Sequence, residues 1–304
     1  MIVSLSAVLI SLAAARVTRA AAIPEQFTLL LTAPGVALYG NESIEGAQEY
    51  VQILDLSAGA RLAFWYGPIM DAGSGEGLYG GASPRFERHY LPDVWQTLAL
   101  EQPEMLCLSN GEFFRDTIDG IWVNPTELAF PLKSDGEVIS EGYERRRFQY
   151  QRVMLEIWND RAAITTFSRQ AFYASTAPNI ITGLHEHARV RAAEQLGRTF
   201  VGVGDGNGDG LQERLLIYSG MAATQSHAAS VLRGFGAQTI MMLDGGGSAQ
   251  LACEGASYIK QIRPLPQMMA TIPAIAQQPQ PANSYLALFE KTLAHWLRLL
   301  GAGP

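Results

Sequence analysis

The succession from 199 to 251 leaves few architectures open. TFVGV, 199–203, reads as a strand, DGNGDG, 205–210, as a loop, and RLLIYS, 214–219, as a second strand. From Thr224 to Phe235 apolar residues recur at helical spacing, through Ala228, Val231, Leu232 and Phe235. Thr224 or Ser226 is placed to cap the start of that helix, and Gly234 and Gly236 end it. TIMML, 239–243, is the next strand, and DGGGS, 244–248, follows it directly. Strand, helix and strand here have the order of a crossover unit joining parallel strands.

Elsewhere, YVQILDLS (50–57) and ARLAFWY (60–66) read as strands joined by a short Ala58–Gly59 turn. YQRVMLEIW (150–158) and AAITTFS (162–168) read as another strand pair around an Asn159–Asp160 turn. A short helix is expected over 92–100, ahead of the apolar run MLCL, 105–108. The glycine-rich stretch at 73–83 contains G-x-G-x-x-G, but no strand precedes it and Pro84 follows it, so it reads as a surface loop and not a dinucleotide fingerprint.

The chain divides into four segments. Residues 1–22 are signal-like: MIVSLSAVLISLAAA is uncharged, apolar and too short for a comfortable membrane span, although Arg16 and Arg19 follow the stretch and no basic residue precedes it. Residues 23–264 form the main domain, 265–284 a Pro/Gln-rich linker, and 285–304 an amphipathic helix whose Glu290, Lys291 and Arg298 forbid spanning. A secreted or cell-envelope location is the expectation, with no membrane span in the mature domain. A formal charge of −7 gives no footprint for nucleic acid, and the Arg145–Arg147 run lies among glutamates and aromatic residues. Cys107 and Cys253 either form a disulfide or remain two buried thiols; the sequence leaves both open.

Three polar blocks carry the chemistry. In DGGGS, the glycines let the backbone approach a ligand and turn N–H groups toward phosphate oxygens, while Asp244 offers a carboxylate beside them. A strand-ending turn is the bland alternative. SNGEFF, 109–114, also follows an apolar run, and its alternative is an Asn-Gly hairpin turn. In GRTF, 197–200, Arg198 stands at the mouth of a strand, where a guanidinium can grip a phosphodiester through two parallel hydrogen bonds.

Together, NG-x-FF, RT before a strand and LDGGGS after a helix ending in FGA resemble the phosphodiester glycosidase family, over roughly residues 50–260. The resemblance implies an α+β fold with mixed β-sheets packed by helices. It also implies hydrolysis of the bond between a sugar's anomeric carbon and a phosphodiester, in the manner of bacterial relatives associated with exopolysaccharide. Asn110, Gly111, Phe113 and Phe114 match the first block, Arg198 and Thr199 the second, and Asp244 to Ser248 the third. Glu112 departs, standing where the family usually has glycine; it either crowds the approach or supplies a second carboxylate.

On this reading Asp244, Arg198 and Asn110 are catalytic. Gly111, Glu112, Thr199, Gly245, Gly246, Gly247 and Ser248 bind substrate. A sugar–phosphate diester is the partner, and no cofactor is required. Core packing is the simpler role for Phe113 and Phe114. The rival reading is a non-catalytic glycan- or phosphate-binding envelope module of the same fold.

DGNGDG has the Asp205, Asn207, Asp209 and Gly210 spacing that opens a calcium loop, with Leu216 where the closing glutamate belongs and Glu213 as a substitute ligand. A plain polar turn is the alternative to a structural calcium. His185 and His187 read as loop histidines for want of a third ligand. His227, on the first turn of the helix, either approaches the DGGGS loop as an acid or is simply exposed.

Overall fold

The computed structural model describes residues 23–71, 83–115, 125–144 and 146–275. The signal-like segment, most of the glycine-rich stretch, and the C-terminal helix with most of its linker lie outside them. Every strand pair is antiparallel. Among the described residues there are three α-helices against 19 strands. The expected α+β fold with mixed sheets is therefore corrected to a predominantly β architecture.

One sheet has 11 strands and a second has five. The backbone of the large sheet runs Glu49–Asp55, Arg214–Ala223, Leu196–Gly204, Thr239–Met242, Asn179–His185. The small sheet runs Ala256–Ile259, Leu251–Cys253, Cys107–Asn110, Gln267–Ile272, Arg61–Tyr66. A three-stranded sheet, Ile69–Asp71, Arg85–Phe86 and Thr126–Glu127, lies beside them in the chain.

Alternation along the strands sorts the side chains into layers. Val201, Ile217 and Met241 of the large sheet share one core with Leu62, Phe64, Leu251 and Met269 of the small one, so the two sheets pack face to face. The intervening residues Phe200, Leu216, Tyr218 and Met242 point the other way, onto Ala228, Val231 and Leu232 of the Gln225–Gly234 helix. Leu108, Ala252 and Met268 likewise pack on Leu91, Val94 and Leu98 of the Leu91–Glu101 helix. The order is helix, sheet, sheet, helix. Each large apolar side chain taken from water contributes about 1.5–3 kcal/mol.

Both expected helices form, and Thr224 caps the second, its hydroxyl accepting from the His227 amide at 3.2 Å. The Arg152–Ile157 and Ala162–Thr166 strands pair around the Asn159–Asp160 turn. Other expectations change. The strands on either side of the Gln225–Gly234 helix do run the same way, but Leu196–Gly204 lies between them and pairs antiparallel with both. Ala58–Gly59 does not close a hairpin; it carries the chain from the large sheet to the small one. Gln267–Ile272, placed in the linker by composition, is a buried strand between Cys107–Asn110 and Arg61–Tyr66. The folded domain therefore extends past residue 264.

Cys107 and Cys253 are joined as a disulfide, directly opposite one another in neighbouring strands and wholly buried between the sheets. No helix among the described residues is long and apolar enough to cross a membrane.

Candidate active site

DGGGS is the passage from the large sheet to the small one: Thr239–Met242 enters it and Leu251–Cys253 leaves it. Each side of the crossing is tied down. Leu243 N–H donates to Thr199 O at 2.9 Å on the large sheet, and Asp244 N–H to Gly111 O at 3.1 Å beside the small one. Between these ties Asn110, 1% exposed, works in both directions. Its Nδ2 donates to Asp244 O at 2.8 Å, while its Oδ1 accepts from Thr199 Oγ1 at 2.8 Å and from Gln250 N–H at 3.1 Å. An asparagine suits this place, because its amide carries a donor and an acceptor in one plane.

The three blocks, far apart in sequence, are thus brought into one connected structure. Asn110, Thr199 and Ser248 are buried and face protein partners; they hold the loop instead of presenting groups to a ligand. Gly111 leaves room for Gln267 of the neighbouring strand, whose side chain would have to shift to admit a Cβ there.

A cleft of about 520 Å³ opens over the crossing. Asp244, Gly245, Gly246 and Gly247 form one wall, Arg198 and Arg191 another, with Arg263, Ile262 and Phe113 completing it. Gly245 N–H donates to Asp244 Oδ1 at 2.9 Å, which fixes the carboxylate at the head of a short 3₁₀ turn, Gly246–Ser248. That turn needs Gly246 in the left-handed region, at φ +62°. The amides of Gly246 and Gly247 have no protein acceptor among the described residues, as expected of the first residues of a helical turn. They are donors available to an anion.

Arg198 is 4% exposed, and its fork is occupied. Nε donates to Ala223 O, Nη1 to Val190 O, and Nη2 to both Arg191 O and Glu194 O, at 2.7–3.2 Å. Of five N–H groups only one on Nη1 remains. The expected two-pronged grip on a phosphodiester is therefore not open to it in this arrangement. It braces the 190–194 segment and contributes buried positive charge to the cleft wall. Burial pulls its pKa down, but a guanidinium keeps its proton.

The sequence reading missed Arg263. Its Nη1 donates to Ser248 Oγ at 3.0 Å, and its guanidinium lies over the Phe114 ring, 5.3 Å from the centroid. It sits next to the composition change that suggested a linker, which drew attention away from it. Phe113 lines the cleft and packs edge-on to Phe130.

Glu112 does not line the cleft. It is 2% exposed, with Oε1 accepting from Phe113 N–H at 2.9 Å and the Thr182 backbone amide also favouring the carboxylate. Burial, then the nearby charge of Asp244, pushes its pKa well above the ordinary value of 4.5. The Glu112 carboxyl thus lies buried behind the site and not in the cleft.

His227 lies on the opposite side of Ala223, where its Nε2 meets Glu49 Oε2 at 2.7 Å in a separate hollow with Asn41 and Gln195. It does not approach DGGGS. The His185 and His187 rings lie 5.0 Å apart, tilted by 50°, and no metal-ligating cluster among the described residues includes them.

No protein-family model matches the chain, and no curated protein does. Among solved structures, the chain is similar to the catalytic domain of zebrafish N-acetylglucosamine-1-phosphodiester alpha-N-acetylglucosaminidase, auto-inhibited by pro-peptide. What the two share is the fold. Identity is 14% and the TM-score 0.50, over 84% of this chain and 87% of that one. A hypothetical protein from Synechocystis is 10% identical with a TM-score of 0.44, over 81% of this chain and 64% of that one. A putative exported protein from Burkholderia pseudomallei is 12% identical with a TM-score of 0.41, over 75% and 74%. The relationship to the zebrafish enzyme is a distant one of architecture.

Proposed function

We propose that this cleft hydrolyses the bond between a sugar's anomeric carbon and a phosphodiester. The observation that carries the proposal is the adjacency, on one short loop, of a carboxylate and two uncommitted amides. Gly246 and Gly247 N–H receive phosphate oxygens, with the charges of Arg198 and Arg263 behind them. Asp244 stands at the head of the same turn, positioned for the anomeric carbon or its attacking water. A phosphate monoester leaves as a stabilised anion, so a strong proton donor is not demanded as it is for an alcohol leaving group. The distant likeness to a phosphodiester glycosidase domain agrees with this assignment. The buried disulfide suits an oxidising compartment, and we place the substrate among envelope or secreted glycans.

The test is incubation with an N-acetylglucosamine-1-phosphodiester, assayed for free sugar, alongside calorimetry with the same compound. Release supports the hydrolase. Binding without release selects the rival, a non-catalytic module, which the occupied fork of Arg198 favours. Neither binding nor release ends both readings.

Glu112 gives a pH signature. A carboxyl whose folded pKa is raised contributes stability that is full below its unfolded value and lost as pH climbs through the folded one. Glu112→Gln, which is neutral at every pH, is expected to melt higher than the parent at alkaline pH, the gap closing below about 4.5. It is expected to retain most of the turnover. A constant gap across that range contradicts the proton on Glu112, and loss of activity in the folded variant assigns it a direct role.

A further inference from the structure

The loop between the Leu196–Gly204 and Arg214–Ala223 strands gathers three carboxylates. Asp205, Asp209 and Glu213 each place an oxygen within 4.8 Å of the other two. Backbone amides organise the first of them: Asp205 Oδ1 accepts from Gly208 N–H and Oδ2 from Gly210 N–H. Asn207 orients the second, its Nδ2 donating to Asp209 Oδ2 and its Oδ1 accepting from Asp209 N–H. Asn207 therefore acts on Asp209 and is not itself turned out as a ligand, which revises the set Asp205, Asn207, Asp209 read from the sequence.

An acidic cluster alone is weak grounds for a metal. Glu213 supplies the second observation. It is 5% exposed; Oε1 accepts from Gly206 and Asn207 N–H, but Oε2 is enclosed and has no donor among the described residues. Removing a carboxylate oxygen from water without a partner is unfavourable. Arg214 runs against Gly206 but forms no ion pair with any of the three among the described residues. Three carboxylates thus lie within reach of one ion, and one of them carries an enclosed oxygen with no donor among the described residues.

We propose that Asp205, Asp209 and Glu213 bind one Ca²⁺. Metal–oxygen distances of about 2.3–2.6 Å allow a single ion to reach all three groups. The donors are hard oxygens with neither imidazole nor thiolate, which disfavours zinc and copper. A partly exposed loop with an irregular donor set suits an ion that tolerates variable geometry, unlike Mg²⁺ with its strict octahedron. The ion has a structural task. The Leu196–Ala223 end of the hairpin holds Arg198 and the cleft, whereas this loop closes the other end, with Glu213 O accepting from Leu56 N–H at 2.9 Å. Calcium would pin the central hairpin of the large sheet to its neighbour, away from the chemistry.

The test uses the whole chain after chelator treatment, with CaCl₂ titrated by calorimetry and thermal unfolding followed in parallel. One site is expected, with a dissociation constant at or below about 1 mM, and a melting temperature that rises with calcium and falls again with chelator. Asp209→Asn, at an exposed position, is expected to fold as the parent does in chelator but to lose the calcium-dependent rise. Glu213→Gln should lose it too, and should melt no lower than the parent in chelator. Absence of both heat and shift overturns the proposal, as does an equal response to MgCl₂ or a full response in Asp209→Asn. None of these readouts depends on glycosidase activity.

Discussion

Asp244→Asn is expected to lower sugar release by roughly 10²–10⁴-fold, the range that a positioned acid–base group supplies, while thermal unfolding stays unchanged. That factor is about 3–5 kcal/mol of transition-state stabilisation. The fold is spared for a local reason. The contact Asp244 makes within its own turn is Oδ1 accepting from Gly245 N–H, and an asparagine oxygen accepts the same bond. Its backbone ties to Gly111 and Asn110 do not involve the side chain. The variant therefore removes charge and basicity while keeping shape. Steady-state rates on the phosphodiester, with calorimetry on the same protein, separate the outcomes: binding is expected to persist on the Gly246 and Gly247 amides. Unchanged turnover removes Asp244 from the mechanism.

The second large effect concerns stability. Cys107 and Cys253 are 146 residues apart in sequence, and cross-linking so long a loop restricts the unfolded chain strongly. Replacing both with alanine is expected to cost about 2–5 kcal/mol, lowering the melting temperature by roughly 5–15 °C in a domain of this size. Because both cysteines have no exposed surface, a reductant added to the native protein should act slowly, its rate following that of opening. Differential scanning calorimetry of the double variant measures the first expectation, and thiol labelling over time in reductant measures the second. A loss below about 1 kcal/mol would mean that sheet packing alone sets the register. The bridge also bears on the site. It fixes Leu251–Cys253 against Cys107–Asn110, and Gln250, the residue just before that strand, exchanges backbone and side-chain contacts with Asn110.

How much of this was legible in the sequence depends on the range of the interaction. The Gln225–Gly234 helix carries its own signal, in a side-chain cap and an apolar face, so it was placed correctly. The fold class was not. Strands such as Leu196–Gly204 and Arg214–Ala223 are covered on one face by a second sheet and on the other by a helix, so they read as unbroken apolar runs. Such runs are the usual mark of parallel sheets. Gln267–Ile272 was hidden among prolines and glutamines because what makes it a strand is the pair of neighbours it fills in between. At the site, the three motifs meet at the crossing loop, but motif spacing cannot tell a residue that holds a loop from one that faces a ligand. Asn110 and Thr199 are buried and bonded to one another across the crossing. The commitment of the Arg198 fork to four carbonyls depends on a segment whose path no local pattern encodes.

The position of Gln267–Ile272 has a consequence for how the molecule is made. It is the last strand of the described chain, yet it lies in the interior of the small sheet, between partners synthesised some 150 and 200 residues earlier. On the ribosome, the facing edges of Arg61–Tyr66 and Cys107–Asn110 lack their final partner until residues 267–272 have been made, and are open to other extended segments. An oxidising milieu that joins the two thiols once Cys253 has emerged would pair one of those waiting strands before its final neighbour arrives. The cross-link would then act on the order of assembly as well as on the finished fold.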